Sequence, residues 1–365
     1  MNIPFLRPHI PCAEEWLPFL AESYRRKWFT NFGPVHDRLS AALAERYCPS
    51  ARRVMPVANC TIGLAAAIVA LDVQGLVAIP SFTFPATLQA VLMAGCQPCY
   101  VEADPQTWEM SIGHLEDLLD RVPIRAVMSV RAFGFCRDLA RLSEFCRSRG
   151  IPLIIDSAAA LGGYVQPGVA AGMEGDVEVF SMHATKVFAV GEGGVIFARQ
   201  DLLPRLREAL NFGLIGDAAL RRGFNGKLSE VQCAIALAVL QTIDEAIAAR
   251  TEVCNRYSHL LDGTPITRPA DGVGSPPWQT YPALMPSKVA AERLLAAAGN
   301  WGIILRRYYR PALHRVYGAP VDSGSLPVSD ALADRMICLP VLPDLTNSEH
   351  AYLDEFCKVL KSTNY

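Results

Sequence analysis

The chain has 365 residues, 51% of them hydrophobic and 19% charged, which is enough to bury a sizeable core in one large domain with a smaller one beside it. A net charge of −2 excludes a basic field for nucleic acid, and no block of like charges resembles a tail. The eleven cysteines are scattered singly through apolar segments, which fits reduced buried thiols and not a disulfide framework.

In chain order, Met1-Asn2-Ile3-Pro4-Phe5-Leu6 lacks the basic and apolar segments of a secretory leader. From residue 54 to residue 200 short β-type runs alternate with helical ones. Strands are predicted from Val54 to Ala58, Leu76 to Pro80, Pro98 to Glu102, Arg125 to Val130, Pro152 to Asp156, Val177 to Met182 and Gly194 to Ala198. Amphipathic helices are predicted from Thr61 to Leu71, Ala86 to Ala94, Ile112 to Arg121 after the N-cap Ser111, and Asp138 to Arg149 before Gly150. Strand then helix, repeated, implies right-handed crossovers and a largely parallel sheet covered on both faces, with ligands at the carboxyl ends of the strands. Cys96-Gln97-Pro98-Cys99 has no second pair for zinc and precedes a strand, so it reads as two small apolar residues flanking a turn, and no metal site is expected.

Further on, Leu228 to Arg250 has a long helical pattern, followed by a Gly- and Pro-rich loop from Asp262 to Pro277. A helix from Lys288 to Ala298, a strand from Gly302 to Arg307 and a closing helix from Ser348 to Leu360 complete a smaller unit. The predicted fold class is α/β: a large domain over residues 1–245 with a mostly parallel seven-stranded sheet between helices, and a smaller α+β domain over residues 246–365. The longest apolar stretches, Thr61 to Leu71 and Cys233 to Leu240, fall short of the roughly 20 residues that span a bilayer, so no membrane partner is expected and a cytoplasmic location is.

Two residues on the predicted functional edge carry chemistry. Lys186 follows the strand Val177 to Met182 and precedes Gly191-Glu192-Gly193-Gly194, and Asp156 closes an apolar strand. A desolvated lysine loses its charge readily and attacks an aldehyde, while an aspartate beside a ring nitrogen keeps that nitrogen protonated as an electron sink. Pyridoxal 5'-phosphate (PLP) needs that pairing. A lone lysine after Ser and Thr also fits a solvated strand end.

Separated segments then match one family in the right order. They are Trp28 to Pro34, Asn59-Cys60-Thr61, Pro80 to Phe84, Asp156-Ser157-Ala158, Ser181 to Lys186, Gly191 to Gly194, Gly223 to Lys227, and Tyr309-Arg310-Pro311 with His314. Over nearly its whole length the chain resembles the DegT/StrS family of sugar aminotransferases, PLP enzymes of fold type I in the aspartate aminotransferase superfamily. The resemblance implies that Lys186 holds PLP as an internal aldimine and that Asp156 pairs with its ring nitrogen. Phe84 would stack on the ring, and Ser181 and Asn225 would bind the phosphate, Asn225 from a neighbouring subunit of a homodimer with shared active sites. Asn59 to Gly63 sits where a strand enters a helix, so the backbone N–H groups of Thr61 and Ile62, next to Cys60, suit the same phosphate, with the Thr61 hydroxyl as a further donor. His183 either lines the site or packs beside the lysine loop.

The implied reaction moves an amino group from glutamate or glutamine to a keto sugar, in the family usually nucleotide-linked, by a ping-pong mechanism. Arg306, Arg307, Tyr309 and His314 are the candidate substrate-side residues, since a diphosphate calls for guanidinium forks and a sugar for hydroxyl and imidazole partners. The chain departs from the family pattern at Ala159, where His or Gln is usual near the cofactor ring, at Arg131 in place of His, and at Lys227 in place of Arg. These departures leave room for a non-nucleotide ketone such as a cyclitol, for PLP chemistry other than transamination, or for a regulatory protein that binds PLP without turnover.

Overall fold

A computed structural model describes residues 1–48, 52–268, 272–318 and 320–362. Seven strands form the central sheet: β1 (Arg52–Val57), β2 (Leu76–Pro80), β3 (Gln97–Val101), β4 (Ile124–Val130), β5 (Leu153–Asp156), β6 (Val177–Ser181) and β7 (Gly194–Arg199). Each lies within two residues of its predicted bounds. Their spatial order is β1-β7-β6-β5-β4-β2-β3. All run parallel except β7, which is antiparallel to both β1 and β6. The exception has a local cause. No helix separates β6 from β7, so the chain turns back through the Met182 to Gly193 loop, where Met182 N donates to Gly193 O (2.9 Å) and Ala184 N to Gly191 O (2.7 Å). Lys186 therefore rides on a hairpin-like loop at the carboxyl end of β6.

Strands β2, β5 and β6 are buried along their whole length, as expected of sheet sandwiched between helices. Cys96 and Cys99 are buried free thiols, and Cys99 lies within β3. The helix Pro34–Tyr47, which hydrophobic periodicity did not reveal, depends on a distant cap. The buried Glu230 carboxylate accepts from Val35 N (2.7 Å), His36 N (3.0 Å) and Ser23 Oγ (2.9 Å), satisfying first-turn donors that the helix itself leaves open.

Glu230 also opens the helix Glu230–Leu260, ten residues longer at its end than predicted. Its first half contributes Cys233, Leu237 and Ile243 to one core, and its second half contributes Val253, Cys254 and Tyr257 to the core of the C-terminal unit. The predicted boundary between residues 245 and 246 falls inside this helix. Length and composition alone would let the helix cross a membrane, but its role here is to join two cores. The chain's first residues belong with the second of them: Ile3 is fully buried there and pairs with Ile303.

The C-terminal unit is built on β8 (Thr280–Leu284) and β9 (Met336–Pro340), an antiparallel pair that the sequence reading missed. Pro282 and Pro340 disguise both runs, and a two-stranded sheet tolerates them because each strand is an edge. The predicted strand Gly302 to Arg307 is corrected. It is extended with alternating burial, but it makes only a single bridge on each side, Ile303 to Ile3 and Arg306 to Cys338. Within the predicted loop Asp262 to Pro277, residues 269–271 lie outside the described residues.

Candidate active site

The carboxyl ends of β4, β5 and β6, the start of the helix Cys60–Ala70 and two segments of the C-terminal unit enclose a cavity of about 630 Å³. Lys186 and Asp156 both line it. The Lys186 ammonium donates to Gln279 Oε1 at 3.0 Å. Burial pushes its pKa below the ordinary lysine range, against the opposing pull of Cys60 and Asp156, so the amine is poised to lose its proton.

Asp156 is only 3% exposed. Its carboxylate accepts from Thr87 Oγ1 (2.8 Å) and Ala158 N (3.2 Å), with the Cys60 thiol at 3.9 Å. Burial raises its pKa, and these donors together with Lys186 resist the rise. Among the described residues no Arg, Lys or His forms a salt bridge with it, so a buried carboxylate faces the cavity without a bonded cation. A protonated ring nitrogen supplies that cation, and on this ground the residues present fit PLP.

The candidate phosphate site is the first turn of the helix Cys60–Ala70. Asn59 caps it, its Oδ1 accepting from Ile62 N at 2.9 Å. The Ile62 N–H is therefore already satisfied, a correction to its expected role, while the N–H groups of Cys60 and Thr61 make no hydrogen bond within the described residues. Only a glycine fits at Gly194, where an added Cβ would lie 2.8 Å from the Cys60 nitrogen and the Asn59 carbonyl carbon. Ser181 lines the same cavity, and its Oγ accepts from His183 N at 3.2 Å.

A model of the DegT/DnrJ/EryC1/StrS aminotransferase family matches residues 12–355. The chain belongs to that family. Protein Rv3402c of Mycobacterium tuberculosis is 32% identical over 357 residues, covering 93% of this chain and 85% of the relative. The dTDP-4-amino-4,6-dideoxy-D-glucose transaminase of Shigella dysenteriae is 28% identical over 365 residues, covering 97% and 98%. Among solved structures, a DegT DnrJ EryC1 StrS aminotransferase from Brucella abortus superimposes with a TM-score of 0.85 at 25% identity, covering 96% of each chain. The protein is thus a sugar-aminotransferase family member of fold type I, and its cofactor is PLP.

The aminotransferase brings most of its predicted site residues to one cavity. Cys60, Thr61, Phe84, Ala159, His183 and Tyr309 join Asp156, Ser181 and Lys186 on the wall. Phe84 is 54% exposed and meets the edge of Tyr308 at 6.4 Å between centroids, so its ring is free to take a partner. His183 Nδ1 accepts from Thr185 N (3.2 Å), which leaves the proton on Nε2, facing Glu192 Oε1 at 3.5 Å. The Tyr309 ring stacks on Phe133 at 5.1 Å, and its hydroxyl accepts from Phe133 N at 3.3 Å. That contact supports a backbone held at φ 56° in a bulky residue.

Other predicted residues lie elsewhere. Asn225 is exposed, off the cavity wall of its own chain, in a segment whose backbone pairs with Asn211. Arg306, Arg307 and His314 do not line the cavity of their own chain. Arg306 is exposed, Arg307 donates to the Asp334 carbonyl, and His314 is clamped between Ser81 Oγ (2.6 Å) and Asp330 Oδ1 (3.2 Å). The departure at Arg131 has a structural reason. Its guanidinium is buried between Glu178 (2.8 Å) and Glu174 and donates to the Arg137 carbonyl, so it serves as the counter-charge of two carboxylates beneath the cavity wall. Lys227 sits with its ammonium over the Phe212 ring at 4.3 Å.

Two functional residues escaped the sequence reading. Thr87, four residues after Thr83 and hydrogen-bonded to it at 3.0 Å, supports Asp156, and the Thr-x-x-x-Thr spacing was its only signal. Gln279 precedes a strand that was itself missed, so nothing in the linear sequence aimed it at Lys186.

Proposed function

We propose that this aminotransferase transfers the amino group of glutamate or glutamine to a keto sugar carried on a nucleotide diphosphate, by a ping-pong reaction in a homodimer. The observation that carries the reading is Lys186 and Asp156 on one wall-enclosed cavity, the amine and the carboxylate each shifted by burial. PLP, when bound, supplies a carbonyl that condenses with amines and a ring that accepts an electron pair. Lys186 Nζ would be the amine that holds the cofactor and, when free, the base nearest a bound amino donor. Asp156 would hold the protonated ring nitrogen, Ser181 Oγ and the open N–H groups of Cys60 and Thr61 would hold the phosphate, and Phe84 would cover the ring. Asn225, exposed and away from its own cavity, would reach the site of a second copy in that homodimer.

The Shigella relative's named product supports a dTDP-linked 4-keto sugar as acceptor. A second reading, a ketone without a nucleotide, draws on the placement of Arg306 and Arg307 away from the cavity. The test is the donor half-reaction. With L-glutamate and no acceptor, the PLP-loaded protein is expected to release about one equivalent of 2-oxoglutarate per site and then stop until a keto sugar is added. Lys186→Ala should lower this release by at least about 100-fold while the protein stays folded. Continuous release without acceptor, or undiminished release by the alanine variant, contradicts the reading. Comparing the dTDP-linked 4-keto sugar with a free cyclitol ketone then separates the two acceptor classes.

A further inference from the structure

Gln279 is 8% exposed and uses both ends of its amide. Its Nε2 donates to the Thr185 carbonyl at 3.2 Å, which obliges Oε1 to face the other way, where Lys186 Nζ donates to it at 3.0 Å. Thr185 and Lys186 belong to the loop after β6, whereas Gln279 immediately precedes β8 of the C-terminal unit, so one side chain ties the two units together at the reactive amine.

The backbone that delivers Gln279 is itself constrained. Trp278 has φ 59°, a left-handed conformation that a bulky residue adopts only when its surroundings impose it. Its indole packs against Phe135 (6.1 Å) and stacks on Tyr281 (6.4 Å), and its carbonyl accepts from buried Arg250 Nη1 at 3.4 Å, whose second bond goes to the Val341 carbonyl at 2.7 Å. A relaxed backbone at Trp278 would turn the next side chain away from the cavity. The strained position thus immediately precedes the residue that touches the lysine.

Resting on the assignment of Lys186 as the reactive amine, we propose that Gln279 is a positioning residue that holds the Lys186 amine in the cavity whenever that amine is not bonded to a carbonyl. The neutral amide suits the task. An acceptor fixes where the amine sits, whereas a carboxylate in its place would lock the group as an ammonium and an apolar side chain would leave it unheld. The other groups that face Lys186 are the Cys60 thiol and the Asp156 carboxyl group from the large unit. His183 and Glu192 pair with each other at the cavity rim. Tyr309 comes from the C-terminal unit, with its phenol pushed well up by burial and so neutral in the working range.

The test uses the full chain freed of PLP, with Gln279→Glu and Gln279→Leu beside the unaltered protein. Acetylation of Lys186 by acetic anhydride, read by peptide mass spectrometry from about pH 6 to about pH 11, reports the midpoint at which the amine becomes reactive. Gln279→Glu should raise that midpoint by about one to two units, and Gln279→Leu should lower it and slow covalent loading of PLP by about tenfold. A residue that only packs the two units together would change thermal stability without moving the midpoint. Midpoints within about 0.2 units of the unaltered protein in both variants overturn the proposal. Should Gln279→Leu fail to fold, Gln279→Glu alone decides. Failure of the unaltered protein to link PLP at Lys186 would instead overturn the functional reading on which the proposal rests.

Discussion

Replacing Thr87 with valine isolates the donor that keeps Asp156 ionised. Thr87 is fully buried, its Oγ1 lies 2.8 Å from Asp156 Oδ2, and valine is nearly isosteric. A hydrogen bond to a charged group contributes about 1.5–3 kcal/mol, and one pKa unit corresponds to about 1.4 kcal/mol, so the Asp156 pKa should climb by roughly one to two units beyond what burial imposes. In the proposed function the PLP ring nitrogen pairs with the ionised carboxylate. Below the Asp156 pKa the variant should therefore bind PLP about 10–100-fold more weakly, and the gap should close at higher pH, where both proteins are ionised. Absorbance titration of PLP-free protein across pH measures the ratio of dissociation constants. A linked effect appears in stability. Because burial raises this carboxyl above its ordinary value of 3.8, its contribution to the PLP-free protein is fully present below that value and is lost as pH rises through the folded-state pKa. Thr87→Val should displace that loss to higher pH. A binding ratio that stays near one, or that does not vary with pH, refutes the role given to Thr87.

Two buried charge networks yield further expectations. Arg131→His leaves Glu174 and Glu178 without their buried counter-charge, so denaturant unfolding should show a loss of about 3–5 kcal/mol; an unchanged midpoint would mean that the guanidinium is not their partner. Glu230→Gln keeps the shape of the cap on the helix Pro34–Tyr47 but removes its charge, at a cost of about 1.5–3 kcal/mol. Amide hydrogen exchange should then show protection lost first at Val35 and His36, and uniform exchange would contradict the capping role.

The alternation of short apolar runs with helical ones was enough to place the seven strands of the sheet, because a buried parallel strand is a continuous apolar run bounded by turns, and that pattern is local. The reversal of β7 was legible too, in hindsight, from the absence of a helix between β6 and β7. The C-terminal unit was harder. Pro282 and Pro340 hid its two strands, while the alternation from Gly302 to Arg307 imitated a strand in a segment with only single bridges on either side. A period-2 pattern records which side chains are buried, not whether the backbone finds a partner.

The amino-acid sequence by itself determined the candidates for the chemistry: Lys186, Asp156, Ser181, the Cys60-Thr61 turn and Phe84 are tied to strand ends and a helix start, positions that local patterning reveals. Tertiary structure alone decided how those groups are tuned and what does not reach them. Thr87 and Gln279 act through contacts spanning 69 and 93 residues, Arg131 proves to be a buried counter-ion, and His314, Arg306 and Arg307 are drawn to Ser81, Asp330, Asp334 and solvent. The physical reason is that a side chain's type is written in the chain, while its partner is set by packing between elements far apart in sequence, where burial makes each satisfied bond strong and each missing one costly.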